Sequence, residues 1–438
     1  MDKITIIGGG LAGVEAAWVI ANAGVQVDLI DMKPIKYTPA HKKNYLAELV
    51  CSNSLKAARF DSAAGLLKNE MRKLGSICLM CADIASVEAG GALAVDRDVF
   101  SSLITEKISK HPNINVISKV VDELPDDNGI YVIATGPLTD DLFAKDIIRV
   151  TNSDGLHFYD AAAPIVSEES IDFSIAFRAS RYDEGQGDYV NCPMSKAEYE
   201  AFHDALVNAE GAPLHEFDKD ITVYEGCMPV EVLAKRGKDA IRFGPLKPVG
   251  LVDPRTGHRP WACVQLRKEN TQGSCYNLVG FQTNLKFGEQ KRVFSMIPGL
   301  CNAEFLRYGV MHRNTFINSP QLLNRDLSLK MKENVFFAGQ LTGVEGYMES
   351  AACGIIAGIN AVARLNMRKP LILPAYSMIG ALLEYITNPL NVKFQPMGAN
   401  FGVLPPLDEP VRDKRERYNR LAVRGLKCVE DALERRKE

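Results

Sequence analysis

Near the start of the chain, Gly8-Gly9-Gly10-Leu11-Ala12-Gly13 has the residue types and spacing to hold a pyrophosphate. Gly8 lets a strand turn sharply, Gly10 lets backbone amides approach the phosphates, and Gly13 lets the following helix lie close on the strand, its N-terminus favouring the anion. Asp31 stands 18 residues past Gly13, about where a carboxylate ending a second strand reaches a ribose hydroxyl. The chemistry expected here is capture of a dinucleotide. The ten cysteines raise a different possibility, although most should be small buried hydrophobes. Cys51 is singled out by its setting between apolar Leu49-Val50 and polar Ser52-Asn53-Ser54, in an expected loop after the second strand. Cys78-x-x-Cys81 has no second CxxC and no nearby histidine pair, so it reads as packing rather than a zinc or redox pair.

The elements that must position these residues are legible. Lys3-Ile4-Thr5-Ile6-Ile7 is a buried-strand pattern, Val14 to Ala21 has helical spacing, and Val25 to Ile30 is a second strand, which together make a βαβ unit. Gly129 to Gly136 is a strand closing on Ala134-Thr135-Gly136, which resembles the segment that returns to the nucleotide domain in two-dinucleotide-binding-fold flavoproteins, and Asn334 to Ala338 is another strand that enters glycines at Gly339. A small-residue helix follows, through Gly346 and Tyr347 to Gly358, which would pack closely on the sheet and bring its N-terminus against a flavin ring. The dinucleotide is therefore expected to be FAD, held by both ends of the chain, with Thr135, Gly136, Gly339, Gly346 and Tyr347 joining the first loop. Between roughly 151 and 310 there is no second GxGxxG, so a nicotinamide reductant would bind transiently over the flavin. The expected fold is α/β, a Rossmann-like FAD-binding domain of the two-dinucleotide-binding-fold type with an inserted α+β substrate domain. Residues 1–150 and 311–438 would form the first and second parts of the FAD-binding domain, and 151–310 the insertion.

Composition bounds the partners. The chain has 438 residues, 51 Lys and Arg against 54 Asp and Glu, a net charge of −3 and a hydrophobic fraction of 46%, which excludes a disordered tail protein and a global polycation. A nucleic acid would have to be held by a local basic face. Two segments qualify: Lys235, Arg236, Lys238, Arg242 and Lys247, and the stretch Glu409 to Lys427, with a local excess of +4 and Tyr418 interleaved. Apolar runs are broken well before about 18 residues and no signal-peptide pattern opens the chain, so the expectation is a cytoplasmic protein with reduced thiols, no membrane partner and no metal.

Longer motifs carry a resemblance. Glu48-Leu49-Val50-Cys51-Ser52-Asn53-Ser54-Leu55, Tyr189-Val190-Asn191-Cys192-Pro193-Met194, Tyr224-Glu225-Gly226-Cys227-Met228-Pro229-Val230-Glu231, Arg242 to Leu251 and Met311-His312-Arg313-Asn314-Thr315-Phe316 closely resemble the folate-dependent tRNA uracil-5 methyltransferase family, TrmFO, nearly end to end. The related GidA (MnmG) family uses the same flavin scaffold and carries a longer C-terminal part. The resemblance implies C5 methylation of the T-loop uridine (position 54) of tRNA, with 5,10-methylenetetrahydrofolate as carbon donor, FAD as electron carrier and NADH or NADPH as reductant. It also implies Cys227 as the nucleophile that adds to C6 of uracil, since C5 of an intact pyrimidine is a poor nucleophile. Cys51 matches the family's second functional cysteine, as acceptor of the C5 proton or guard of the flavin intermediate. His312 would stack on the folate pterin, with Arg313 and Asn314 on polar edges of the folate or flavin. The same chemistry on ribosomal RNA, and a small-molecule FAD-dependent oxidoreductase, are the alternative readings.

Overall fold

The strand Lys3–Ile7 (β1) is flanked on both sides by parallel neighbours, Gln26–Asp31 (β2) and Ile130–Ile133, with Ile4 opposite Val27 on one side and Ile130 on the other. A strand in that position is covered on both faces, which is why Ile4, Ile6 and Ile7 are all buried and the sequence is nearly continuous in apolar residues. The computed structural model describes residues 3–38, 40–152, 156–161, 163–183, 187–212, 228–270, 272–309, 311–392 and 394–436, with 156–161, 183 and 311–314 described by backbone alone. The full sheet runs Ser328–Leu329, Lys332–Phe337, Ile130–Ile133, β1, β2, Ile114–Ser118, parallel throughout except for the Ser328–Leu329 edge. The helix Leu11–Asn22 (α1) makes the crossover between β1 and β2, completing the expected strand, glycine turn and helix. This is a Rossmann-type α/β fold.

Against α1 lies the Tyr347–Leu365 helix, and the contact explains its run of small residues. A Cβ on Gly354 would fall 2.1 Å from the Ala12 carbonyl oxygen, and one on Gly358 would fall 2.9 Å from the Ala16 Cα. The two backbones are too close for any side chain larger than hydrogen at those positions. Among the described residues this is the one helix long and apolar enough to cross a membrane, and 83% of that apolar window is buried inside the protein, so it is a core helix.

A second, antiparallel sheet has its own hydrophobic core. Its order is Phe177–Ala179, Tyr189–Met194, Ala262–Lys268, Cys275–Leu278, Ile165–Ser167, Phe305–Arg307, and its core gathers Val190, Val264, Leu278, Phe281 and Phe294 with Phe202 of the Lys196–Val207 helix. A two-stranded ladder, Leu156–Ala161 against Met311–Phe316, runs between the chain segments that enter and leave this region. Cys78 and Cys81 are buried in the first core on the Ile77–Ile84 helix, and burial pushes both thiols up, that of Cys81 to about 11, which suits packing and not redox exchange.

Candidate active site

The glycine turn does what its spacing requires. Gly8 has φ +111° and a Cβ there would sit 2.3 Å from the Ala134 carbonyl oxygen, while a Cβ on Gly13 would sit 1.8 Å from that of Gly8. Gly10 is different, because a Cβ there would meet nothing within 4 Å. It faces open space at the N-terminus of α1, where no side chain caps the helix and the first hydrogen bond back into it comes from the Val14 amide. The amides of Leu11, Ala12 and Gly13 thus precede the helical ladder, and an anion above Gly10 would satisfy them.

That space is an open cleft lined by Gly8, Gly9, Gly10, Asp31, Thr135 and Thr139, among others. Asp31 is fixed by two amides, its Oδ2 accepting from Gly9 N–H at 2.8 Å and its Oδ1 from Lys33 N–H at 2.8 Å. A carboxylate has about four acceptor positions, so these bonds orient it without exhausting it. Lys33 lies beside it with its amine's pKa lowered by burial, partly offset by Asp31 and Glu48. Thr135 shares a 2.6 Å hydroxyl contact with Thr139, and Gly136 takes φ +71° as the chain turns off the sheet. Gly339, with φ +78°, sits where its Cβ would come 2.9 Å from that of Ala12, so both chain ends meet at the start of α1. The residues present fit a dinucleotide.

A second group of residues converges on the loop at Cys51, between β2 and the Ser54–Ala57 strand, as expected from the sequence. Gly346, at φ +120°, starts the Tyr347–Leu365 helix and turns Tyr347 into this loop. The amides of Cys51 and Ser52 both donate to the Tyr347 hydroxyl, at 2.7 and 3.1 Å. Three arginines complete the clamp. Arg97 donates to the Leu49 carbonyl at 3.0 Å, Arg307 to those of Val50 and Cys51 at 3.3 and 3.1 Å, and Arg267 to Ser52 Oγ and Asn53 Oδ1 at 2.8 and 3.0 Å. Cys51 itself is half-buried. Nearby, Lys56 pairs with buried Glu349 at 2.7 Å, beside the position a Gly346 Cβ would take.

Sequence reasoning missed Arg97, Arg267 and Arg307. They come from separated elements, and no local pattern links them. The one signal was indirect: a polar Ser52-Asn53-Ser54 run inside an apolar flank needs partners somewhere. Cys227 lies outside the described residues. His312, Arg313 and Asn314 are described by backbone only, on the Met311–Phe316 strand opposite Asp160, Tyr159 and Phe158.

The basic segments also take shape. Val230–Lys235 and Ala240–Phe243 are short helices, with Lys235, Arg236, Lys238 and Lys247 exposed and Arg242 stacked 3.9 Å over the Trp261 ring. The C-terminal segment is the helix Lys414–Arg435, where Arg415 pairs with Asp61, Arg420 with Glu416, and Arg424 donates to the carbonyls of Pro405 and Pro406.

Comparison with known proteins gives a consistent answer. Residues 3–369 match the family model for glucose inhibited division protein A. A protein of Heliobacterium modesticaldum named methylenetetrahydrofolate--tRNA-(uracil-5-)-methyltransferase TrmFO is 58% identical over 98% of this chain and 97% of its own length. An Enterococcus faecalis protein of the same name is 55% identical, over 97% of each. Among solved structures, Aquifex aeolicus GidA superposes with a TM-score of 0.70 at 17% identity, covering 98% of this chain and 76% of that one, a likeness of fold.

Proposed function

The chain belongs to the glucose inhibited division protein A family and, within it, to the TrmFO methyltransferases, and from that premise we propose that it transfers a one-carbon unit from 5,10-methylenetetrahydrofolate to C5 of the T-loop uridine (position 54) of tRNA, with FAD as cofactor and NADH or NADPH as reductant. The observation that carries the reading is the junction of two features. The open space over Gly10 is the cradle of a dinucleotide, and Tyr347, on the helix packed against α1, holds the amide of Cys51 at 2.7 Å. A cofactor cradle and a half-buried thiol are thereby tied to the same pair of helices.

Bound FAD would supply the electrons that take the transferred carbon from the methylene to the methyl level. The chain's own residues do the rest. The first-turn amides of α1 and Asp31 bind and orient the dinucleotide, with Thr135, Gly136, Gly339 and Gly346 shaping the backbone around it. Cys227 adds through sulfur to C6 of uracil, which breaks the ring conjugation and makes C5 an enolate-type nucleophile. As C5 bonds to the carbon, the carbon's bond to its donor breaks; Cys51 then takes the C5 proton and the bond from C6 to Cys227 breaks, restoring the ring. His312, with Arg313 and Asn314, holds the folate. Exposed Lys235, Arg236, Lys238 and Lys247 and the Lys414–Arg435 helix meet tRNA phosphates. The two hydrophobic cores support a division into residues 1–150 with 311–438 and an inserted 151–310; we take the first as an FAD-binding domain of the two-dinucleotide-binding-fold type, the insertion as an α+β substrate domain, and the enzyme as cytoplasmic.

The test is incorporation of labelled methylene carbon into an unmodified tRNA transcript by the yellow protein with NADPH. Label is expected in the transcript, and none when the T-loop uridine is substituted or with Cys227→Ala, which should keep its FAD. Label that survives the uridine substitution would overturn the T-loop assignment, and a fully active Cys227→Ala would overturn the nucleophile.

A further inference from the structure

We propose that Arg97, Arg267 and Arg307 are positioning residues that hold Cys51 as a thiolate at neutral pH, through a buried excess of positive charge around a loop whose backbone they clamp. The charge count is the first support. Three guanidiniums converge on residues 49–53, and among the described residues the only carboxylate within ion-pair distance of any of them is Glu269, 2.6 Å from Arg97 Nε. Arg267 and Glu269 are 7% and 5% exposed and Arg97 and Arg307 are half-buried, so water screens the group only in part. Buried positive charge of this size must be offset by an anion, and a cation beside a thiol favours its ionised form.

The second support is unfilled hydrogen-bonding capacity. Arg97 Nη2 and Arg307 Nε are buried with no hydrogen-bond acceptor among the described residues. Leaving guanidinium N–H groups unpaired is costly unless an anion is near. The cations also repel one another: burial lowers the pKa of Arg267 and of Arg307, and in each case Arg97 lowers it further, while a charge on Cys51 acts in the opposite direction.

The third support is geometry. The clamp leaves the loop little freedom, because the Leu49, Val50 and Cys51 carbonyls, the Cys51 and Ser52 amides and the Ser52 and Asn53 side chains are each engaged by a named partner. Those partners come from the Arg97–Ser109 helix, the Ala262–Lys268 and Phe305–Arg307 strands and the Tyr347–Leu365 helix. The described titratable groups facing the cluster from these elements are Arg97, Arg267, Arg307, Glu269 and Tyr347, with Tyr189, Cys275 and Asp96 further out. Burial raises the Tyr347 hydroxyl's pKa and Cys51 raises it further, so Tyr347 remains a neutral phenol and adds no competing negative charge.

This deepens the reading of Cys51 as acceptor of the C5 proton, since an acceptor must be deprotonated before it acts. The test needs neither tRNA nor folate, so its failure is separate from failure of the methyltransferase reading. The purified FAD-containing protein is alkylated with iodoacetamide from pH 5.5 to 9.5 and the Cys51 peptide is quantified by mass spectrometry. The rate for Cys51 should rise with a midpoint at least one pH unit below the value of about 8.5 for a free thiol. In Arg307→Gln the midpoint should move up by about one unit, and Arg307→Lys should keep most of the depression. A wild-type midpoint at or above about 8.5, including no modification of Cys51 below that pH, overturns the proposal without any variant. A wild-type depression that persists unchanged in Arg307→Gln and in Arg97→Gln, with FAD content and melting temperature retained, overturns the role of the arginines.

Discussion

The dinucleotide cradle and the Cys51 clamp lie at the N-terminal ends of the two packed helices, α1 and Tyr347–Leu365, and they are built in opposite ways. The cradle is local in sequence, with its turn, helix and acid all between Lys3 and Asp31, and it works by backbone shape: absent side chains at Gly8, Gly10 and Gly13 and free amides at the start of α1. The clamp is assembled from residues 49–53, 97, 267, 307 and 347, and it works by side chains that converge from a distance. A site made by backbone shape tolerates almost any side chain that stays out of the way. A site made by convergent side chains depends on each partner arriving.

That contrast orders the expected effects of substitution. Gly13→Ala should be the most damaging, because its Cβ would sit 1.8 Å from the Gly8 carbonyl oxygen and α1 must move away from β1. A loss of about 3 kcal/mol in unfolding free energy is expected, with FAD lost on purification, as read by denaturant melts and the ratio of flavin to protein absorbance. Normal stability with full FAD would break the account of the cradle. Gly10→Ala separates shape from stability. Its Cβ meets no protein atom within 4 Å, so the melting curve should be nearly unchanged while FAD content falls several-fold. Retention of FAD at the wild-type ratio would show that nothing occupies the space over Gly10.

On the other side, Tyr347→Phe removes one oxygen and leaves the Cys51 and Ser52 amides without their acceptor. The cost should be about 1–3 kcal/mol, together with a roughly tenfold loss in labelled methyl transfer and little change in bound FAD. Loss of FAD in step with activity would show that the two regions are not separable.

The smallest effect concerns two buried carboxylates that cap the helices Ile77–Ile84 and Met378–Thr387. Glu15 accepts from the Ile77 and Cys78 amides, and Glu70 from those of Met378 and Ile379. Burial is the main cause in both, raising Glu15 to about 7 and Glu70 to about 8. A carboxyl whose folded pKa is raised keeps its proton in the folded state after the unfolded chain has lost it, so the contribution is complete below about pH 4.5 and is lost as pH rises towards 7 and 8. Glu70→Gln should therefore flatten the fall in melting temperature between pH 6 and 8.5. An unchanged slope would remove Glu70 from the explanation.

The same contrast explains what could be read from the sequence. β1, α1 and β2 match the expected strand, helix and strand, because alternation, buried runs and glycine turns are local signals. The strands at Ile130–Ile133 and Lys332–Phe337 were legible for the same reason, as was the small-residue helix, whose glycines are needed for contact with α1. Arg97, Arg267 and Arg307 were not legible, because an arginine that folds back to cap a loop looks like any surface arginine until the chain is closed. The C-terminal basic run was found, but not that Arg415, Arg420 and Arg424 are engaged within the protein.

The most direct test of the central claim compares the two regions in one assay: the yield of labelled 5-methyluridine in T-loop digests, per bound FAD, for the wild-type protein and for Cys51→Ala. The account predicts label from methylenetetrahydrofolate in the wild-type digest and at least a hundredfold less in Cys51→Ala at equal FAD content. Equal label per FAD in the two proteins, or label in neither with the flavin fully reduced by NADPH, would contradict it.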